Sequence, residues 1–229
     1  MTDFDYQLRI SKRAKHARVC VKTNRQIEVV LPLGMSTLEA DKLVQQQYDW
    51  IVRALGRMPS QLPTSTDTQP ESIHLPAIEQ RIRIRYGCAQ KRNTMLDGEL
   101  LRVRLSKADK HAPKLLHMWL KAYAKNYLPN MLAKVAKDMG LSYQSVTIRL
   151  QKTRWGSCSH KQSIALNAKL LFLPKDVVHY VLVHELAHLV HMNHSPQFWQ
   201  YVSHFVPDYI KQRQALRTLG LALPAWLLL

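Results

Sequence analysis

The chain has 229 residues, 46% of them hydrophobic and 21% charged. That is enough apolar material for the core of one large or two small domains, and it excludes a disordered tail or a fibrous protein. Lys and Arg total 33 against 16 Asp and Glu, a formal net charge of +17, which suits polyanionic partners such as nucleic acid, nucleotides, anionic membrane or acidic protein.

In chain order, the N-terminal MTDFDYQLRI carries two aspartates and no apolar run of the kind a secretory signal needs. The three cysteines, Cys20, Cys88 and Cys158, form no CxxC pair, so neither a disulfide framework nor a cysteine zinc site is indicated and a cytoplasmic location is expected. Ala17 to Lys22 and Ile27 to Leu31 alternate apolar and polar residues around Thr23-Asn24-Arg25, which predicts a β-hairpin. Ser36 and Glu39 make a capping box that opens one helix over about 36–56. Met58 to Ser72 is rich in Pro, Ser, Thr and Gln, a linker composition.

Residues 78–86 and 101–105 alternate again, with Arg81, Arg83 and Arg85 on one face, and predict antiparallel strands with a basic side. From Pro113 to about Met139 apolar residues recur at helical spacing, with Pro129 as a possible kink and Gly140 as the stop. Strands are expected at Ser145 to Leu150 and Ile164 to Leu170, then a very apolar helix after Pro174 and a last helix from Ser195-Pro196. Leu219 to Leu229 is the most apolar stretch, but it is shorter than the roughly 20 residues a bilayer requires. It reads as a tail docked on the core, without stable membrane insertion.

Six of the eleven histidines lie between His179 and His204. Among them is an HExxH sequence, His184-Glu185-Leu186-Ala187-His188, set inside the apolar helix. Positions four apart stand one above the other on a helix, so His184 and His188 offer two imidazoles to one ion, with Glu185 beside them. A catalytic zinc ion takes three protein ligands and keeps one position open. His194 is the candidate for the third, if Asn193 adopts the left-handed conformation that turns the chain back before Ser195-Pro196. Glu185 would take a proton from water at the open position and return it to the leaving group. An unpaired Glu buried on a core helix is costly, which argues against an accidental motif. His191 is open between an alternative ligand, a transition-state donor and a histidine favoured by the helix C-terminal dipole.

Two motifs, Arg154-Trp155-Gly156-Ser157-Cys158-Ser159 and HELAH followed by Asn193-His194-Ser195 and Phe198-Trp199, resemble the YgjP-like metallopeptidase family of metal-dependent hydrolases, related to SprT and WLM-type zinc proteases. The resemblance implies one zinc ion on His184, His188 and His194, Glu185 as the general base, and a peptide or protein substrate. His194 has the spacing of the metzincin third ligand, but His191 stands where those proteins have glycine, so the chain is not placed among them. An α+β fold is expected, with a β-rich basic part at 1–109 preceding a zincin-like catalytic domain at 110–229 and the linker as the alternative boundary, while the resemblance implies that the two parts form one continuous unit. The RWGSCS strand would then lie beside the active-site helix, where an edge strand can pair with an extended peptide. Arg154 and Ser157, with His191, are candidate substrate contacts; Trp155 and Cys158 read as packing residues and Gly156 as a bulge.

Two other functions fit parts of the sequence. A metal-dependent nucleoside triphosphate (UTP) pyrophosphatase would suit the cationic surface and is known among family members, but no P-loop or magnesium-binding carboxylate cluster is evident. A nucleic-acid-binding protein with a structural metal would use the charge of Lys12, Arg13, Lys15, Arg18, Lys110, Lys114, Lys121 and Lys125, but its metal would need a fourth ligand.

Overall fold

The computed structural model describes residues 4–22, 26–56, 69–88, 93–105 and 112–227. The Thr23-Asn24-Arg25 turn, the 58–68 part of the linker and Lys110 lie outside the described residues. The chain divides into two compact units, Met1–Thr64 and Ser65–Leu229.

In the first unit, β1 (Tyr6–Ser11), β2 (Arg18–Val21) and β3 (Ile27–Pro32) form a sheet in the order β1-β3-β2. β2 and β3 pair antiparallel, as the alternation predicts, while β1 joins β3 in parallel. The period-2 pattern sends Ile27, Val29 and Leu31 into a core shared with Val19. The capping box is present: Ser36 Oγ accepts the Leu38 N–H at 3.3 Å, and Glu39 accepts the Ser36 N–H at 2.9 Å. Instead of the single helix expected over 36–56 there are two, α1 (Thr37–Gln46) and α2 (Tyr48–Gly56), broken at Gln47. The break falls in Gln45-Gln46-Gln47, a turn with no apolar side chain to hold it on the core. On either side of it Val44 and Ile51 are buried.

The second unit opens with a sheet of β4 (Ser72–Leu75), β5 (Gln80–Cys88), β6 (Asn93–Asp97) and β7 (Leu100–Leu105) in the order β4-β5-β7-β6. The expectation that residues 78–86 and 101–105 run antiparallel is corrected: β5 and β7 pair in parallel. The reason is β6, a strand the alternation did not disclose. It folds back on β7 through a tight turn at Gly98, whose φ of 56° suits glycine. The faces are as expected, with Ile82, Ile84, Leu101 and Val103 buried and Arg81, Arg83 and Arg85 exposed.

Helical periodicity from Pro113 to Met139 resolves into α3 (Ala112–Ala124) and α4 (Leu128–Asp138). Pro129 has no N–H and would clash with the carbonyl four residues back, so it sits in the first turn of a new helix instead of kinking one. Gly140, at φ 65°, closes α4: its N–H bonds to Lys137 O and that of Leu141 to Ala136 O, a Schellman arrangement.

A second sheet follows, of β8 (Ser145–Arg149), β9 (Gly156–Cys158) and β10 (Ser163–Asn167), ordered β8-β10-β9 with β9 at an edge. The strand expected through Leu170 stops at Asn167, where a 3₁₀ turn over Ala168–Phe172 begins. Then come α5 (Lys175–Ala187), α6 (Pro196–Phe205) and α7 (Tyr209–Leu221). Two helices therefore stand where one was expected after Ser195, because Pro207 forces Val206 out of helical conformation (φ −135°, ψ 82°). The tail docks on α3, with Trp226 buried and its carbonyl accepting from His117 Nε2 at 2.7 Å. Among the described residues no helix is long and apolar enough to cross a membrane.

The fold is α+β, with α5 against the small β8-β10-β9 sheet. Side chains from both sheets of the second unit and from α3 to α6 share one core, Ile82, Leu132, Ile164, Val183 and Phe198 among them. The unit carrying the HExxH helix begins at Ser65, within the linker composition of Met58 to Ser72.

In the first unit, Glu28 on β3 is held by Lys22 Nζ at 2.8 Å and Arg9 Nε at 3.4 Å. The hydrogen bond from Lys22 is the chief reason its carboxyl lies below the ordinary 4.5. A depressed carboxyl stabilises the fold above its unfolded value and ceases to do so as pH falls through its folded value. Urea denaturation should therefore find Glu28→Gln less stable than wild type by up to about 1 kcal/mol at pH 7, and the difference should shrink as pH falls below the ordinary carboxyl value of 4.5.

Candidate metal centre

α5 is apolar on nearly every side, with Val177, Val178, Val181, Leu182, Val183, Leu186 and Ala187 all buried, as befits a helix at the centre of a core. Glu185 is buried with them, at 6% exposure. The helix ends at Ala187 and His188 is its C-cap. Its last carbonyls are taken up by Leu189 N–H to Leu186 O at 2.9 Å and His191 N–H to Ala187 O at 2.9 Å.

The return of the chain differs from expectation. The described non-glycine residues with positive φ are Glu79 and Gln162, so Asn193 is not left-handed. Its side chain does the turning: Asn193 Oδ1 accepts the Ser195 N–H at 3.3 Å, Ser195 Oγ accepts the Phe198 N–H at 3.4 Å, and Pro196 opens α6.

His194 is thereby brought back beside α5. One nitrogen from each of His184, His188 and His194 lies within 4.8 Å of the others, and among the described residues this is the one group of three or more His, Cys, Asp or Glu close enough to hold an ion. The Nε2 atoms of His184 and His194 face each other at 3.1 Å. Tetrahedral zinc bound at about 2.0–2.1 Å sets two imidazole nitrogens about 3.3 Å apart, so the residues fit the ion. His188 Nδ1 meets the His191 carbonyl at 3.1 Å, which leaves His188 Nε2 for a metal and fixes the ring. Phe198, fully buried, packs against all three rings at centroid distances of 5.0, 4.6 and 4.8 Å.

Electrostatics favour neutral, lone-pair-bearing imidazoles. Burial, then the neighbouring His188 and His194, push His184 down to about 3. His188 is lowered by burial, with its bond to the His191 carbonyl opposing. His184 Nδ1 is buried without a hydrogen-bond partner among the described residues. Burial pushes Glu185 up to about 8 against the pull of Arg154.

Beside the histidines opens a cleft of about 310 Å³, walled by His184 and Glu185 from α5, Arg154, Trp155 and Gly156 from the edge-strand segment, and Arg213 and Arg217 from α7. Of the sequence candidates, Arg154 reaches this cleft; Ser157 and His191 are not on its wall. The His191 ring lies against Tyr201, and its contribution is the carbonyl on His188. Gly156 is no bulge. It pairs regularly with Leu166, and a Cβ there would lie 2.5 Å from Glu185 Oε1, so the bare backbone makes room for the carboxyl. Trp155 is half-buried against the core yet also faces the cleft. The Cys158 thiol is raised by burial and by Glu185, in keeping with packing and not reactivity. His179 and His204 are exposed and stand apart.

Sequence reasoning missed Asn167. Its Nδ2 donates to Gln151 O at 2.9 Å and Arg154 O at 2.7 Å, and its N–H to Trp155 O at 2.9 Å, which ties the segment before β9 to the central strand. It also missed Arg213 and Arg217, whose only signal is a spacing of four on α7.

Residues 15–219 match the family model described as YgjP-like, metallopeptidase domain. A metallopeptidase domain thus spans most of the chain, and the protein belongs to the YgjP-like family. A solved structure, that of the metallopeptidase zymogen abylysin of Pyrococcus abyssi, is similar at 28% identity over 39% of this chain and 91% of that one, with a TM-score of 0.37. No curated protein matches.

The fit at Gly156 can be measured. Gly156→Ala must displace Glu185 or β9, and thermal and urea unfolding should show a loss of about 1–3 kcal/mol. Gly87→Ala, with nothing within 4 Å of the added carbon, should stay within about 0.5 kcal/mol.

Proposed function

We propose that the chain is a zinc peptidase, with His184, His188 and His194 holding one ion and Glu185 acting as general base. The observation that carries this reading is the convergence of three imidazoles on one point, beside a cleft walled by His184 and the Glu185 carboxyl. Family membership supports a peptide or protein substrate.

Zinc on the three imidazoles would supply a Lewis acid for the peptide carbonyl and for water, and a positive charge that draws Glu185 back toward its ionised form. The chain's own residues do the rest. β9 pairs with β10 on one side only, so its other edge offers backbone N–H and C=O groups to an extended peptide. Gly156 keeps the Glu185 carboxyl in the cleft wall, where it takes a proton from the attacking water and passes it to the leaving amine nitrogen. Phe198 packs the histidine rings in place, and the His191 carbonyl holds the tautomer of His188. We place the protein in the cytoplasm, a compartment that suits the unpaired Cys20, Cys88 and Cys158.

Metal content measured by mass spectrometry on untagged protein should show one equivalent of zinc in wild type, lost in His188→Ala and His194→Ala. Glu185→Gln should keep the zinc and lose at least about 10²-fold in cleavage rate, followed as new peptide N-termini. Pyrophosphate release from a nucleoside triphosphate in place of new N-termini, or wild type that holds no metal when supplied with zinc, would sink the proposal.

A further inference from the structure

We propose that Arg154, Arg213 and Arg217 form a subsite in the cleft for an acidic side chain of the substrate, so that the protein cleaves next to or near Glu or Asp. The inference rests on the peptidase reading above and adds the substrate class.

Arg213 and Arg217 stand four apart on α7 and project from one face of that helix. Arg154 comes from the segment just before the edge strand, and all three guanidinium-bearing residues wall the cleft that His184 and Glu185 also wall.

Among the described residues none of the three has an ion-pair partner, although other basic residues do, as Lys22 and Arg9 with Glu28 and Lys175 with Glu79. The carboxyl that shares their cleft, Glu185, is buried in α5 and forms no ion pair with them. Three guanidinium groups therefore wall one cleft without an ion-pair partner among the described residues, an arrangement that an incoming carboxylate stabilises.

Arg213 is also set in place. Its guanidinium lies 5.0 Å from the Trp199 ring centre, and Trp199 is stacked on Tyr209 at 5.2 Å, so the cation meets a ligand with less side-chain entropy to lose. Trp155, Val181 and Leu216 complete the wall with apolar surface. That combination matches a side chain with a short methylene stem and a carboxylate tip. A peptide extended along β9 presents every second side chain to one face, which can deliver such a residue to the arginines while its backbone is held on the strand.

The test uses the full-length zinc-loaded protein and a set of peptides identical except at one position, which carries Glu, Gln or Lys and is scanned on both sides of the cleaved bond. At one position kcat/KM should be at least about tenfold higher for Glu than for Gln, with Lys lowest. Arg217→Glu should invert the order, with Lys preferred over Glu, a result that impaired folding cannot produce. Because turnover also needs the catalytic groups, the same labelled peptides are titrated against Glu185→Gln by fluorescence anisotropy, where Glu over Gln over Lys is again expected. Cleavage or binding without acidic preference, or an Arg217→Glu protein that loses all three peptides equally, overturns the subsite and leaves the peptidase reading standing. Absence of cleavage with acid-selective binding retained overturns the peptidase reading alone. Binding of a nucleoside triphosphate but of no peptide overturns both.

Discussion

Burying a carboxyl, with two half-buried imidazoles beside it, at the C-terminal end of the central helix of a core is the constraint on which the rest of the second unit depends. The other buried residues of α5 are valine, leucine, alanine and Tyr180, and a polar group placed among them without a partner costs several kcal/mol. Each neighbouring element answers to that cost. β9 begins with a glycine because Glu185 occupies the space its Cβ would need. α6 places Phe198 in contact with all three histidine rings, stacked on His188 and edge-on to His184 and His194, while their nitrogens converge. The helix ends at Ala187, so the backbone beyond it bends enough for the His191 carbonyl to reach back to His188.

This dependence separates what could be read in the sequence from what could not. His184, His188 and His194 lie within one short stretch, and helix geometry with a single reversal is enough to bring them together, so their meeting was legible. The means of the reversal was not. Asn193 is suited both to a left-handed backbone and to a side-chain turn, and the choice depends on the Ser195 N–H that α6 presents. The cleft was legible only at Arg154. Its other charged wall comes from α7, more than twenty residues beyond the HExxH motif, and whether an amphipathic helix folds back over α5 is decided by packing that periodicity does not encode.

The misread elements share a cause. One period-3.6 pattern covered α3 and α4, and one covered α1 and α2, because the apolar stripe continues across the breaks at 125–127 and at Gln47. Periodicity reports which side chains are buried, and burial continues through a change of direction. The parallel pairing of β5 and β7 was hidden likewise. Alternation assigns faces correctly whatever the strand direction, and direction came from β6, whose Met95 and Leu96 are too little buried to mark a strand by pattern.

The basic composition takes on a different meaning once its placement is known. Most of the excess charge lies on outer faces such as Arg81, Arg83 and Arg85 of β5, where water and salt screen it and no one ligand is selected. Charge in the cleft is another matter. There three guanidinium-bearing residues share one wall with the groups that would bind metal and move protons, so their fields add at a single place. A short edge strand is normally guarded against unwanted pairing by its brevity and by charge beside it. β9 has three residues and Arg154 nearby, so the device that protects the edge is also one that selects what may pair with it. An extended segment without an acidic side chain meets an uncompensated cation at the end of the strand, whereas one that carries a carboxylate at the right spacing relieves it.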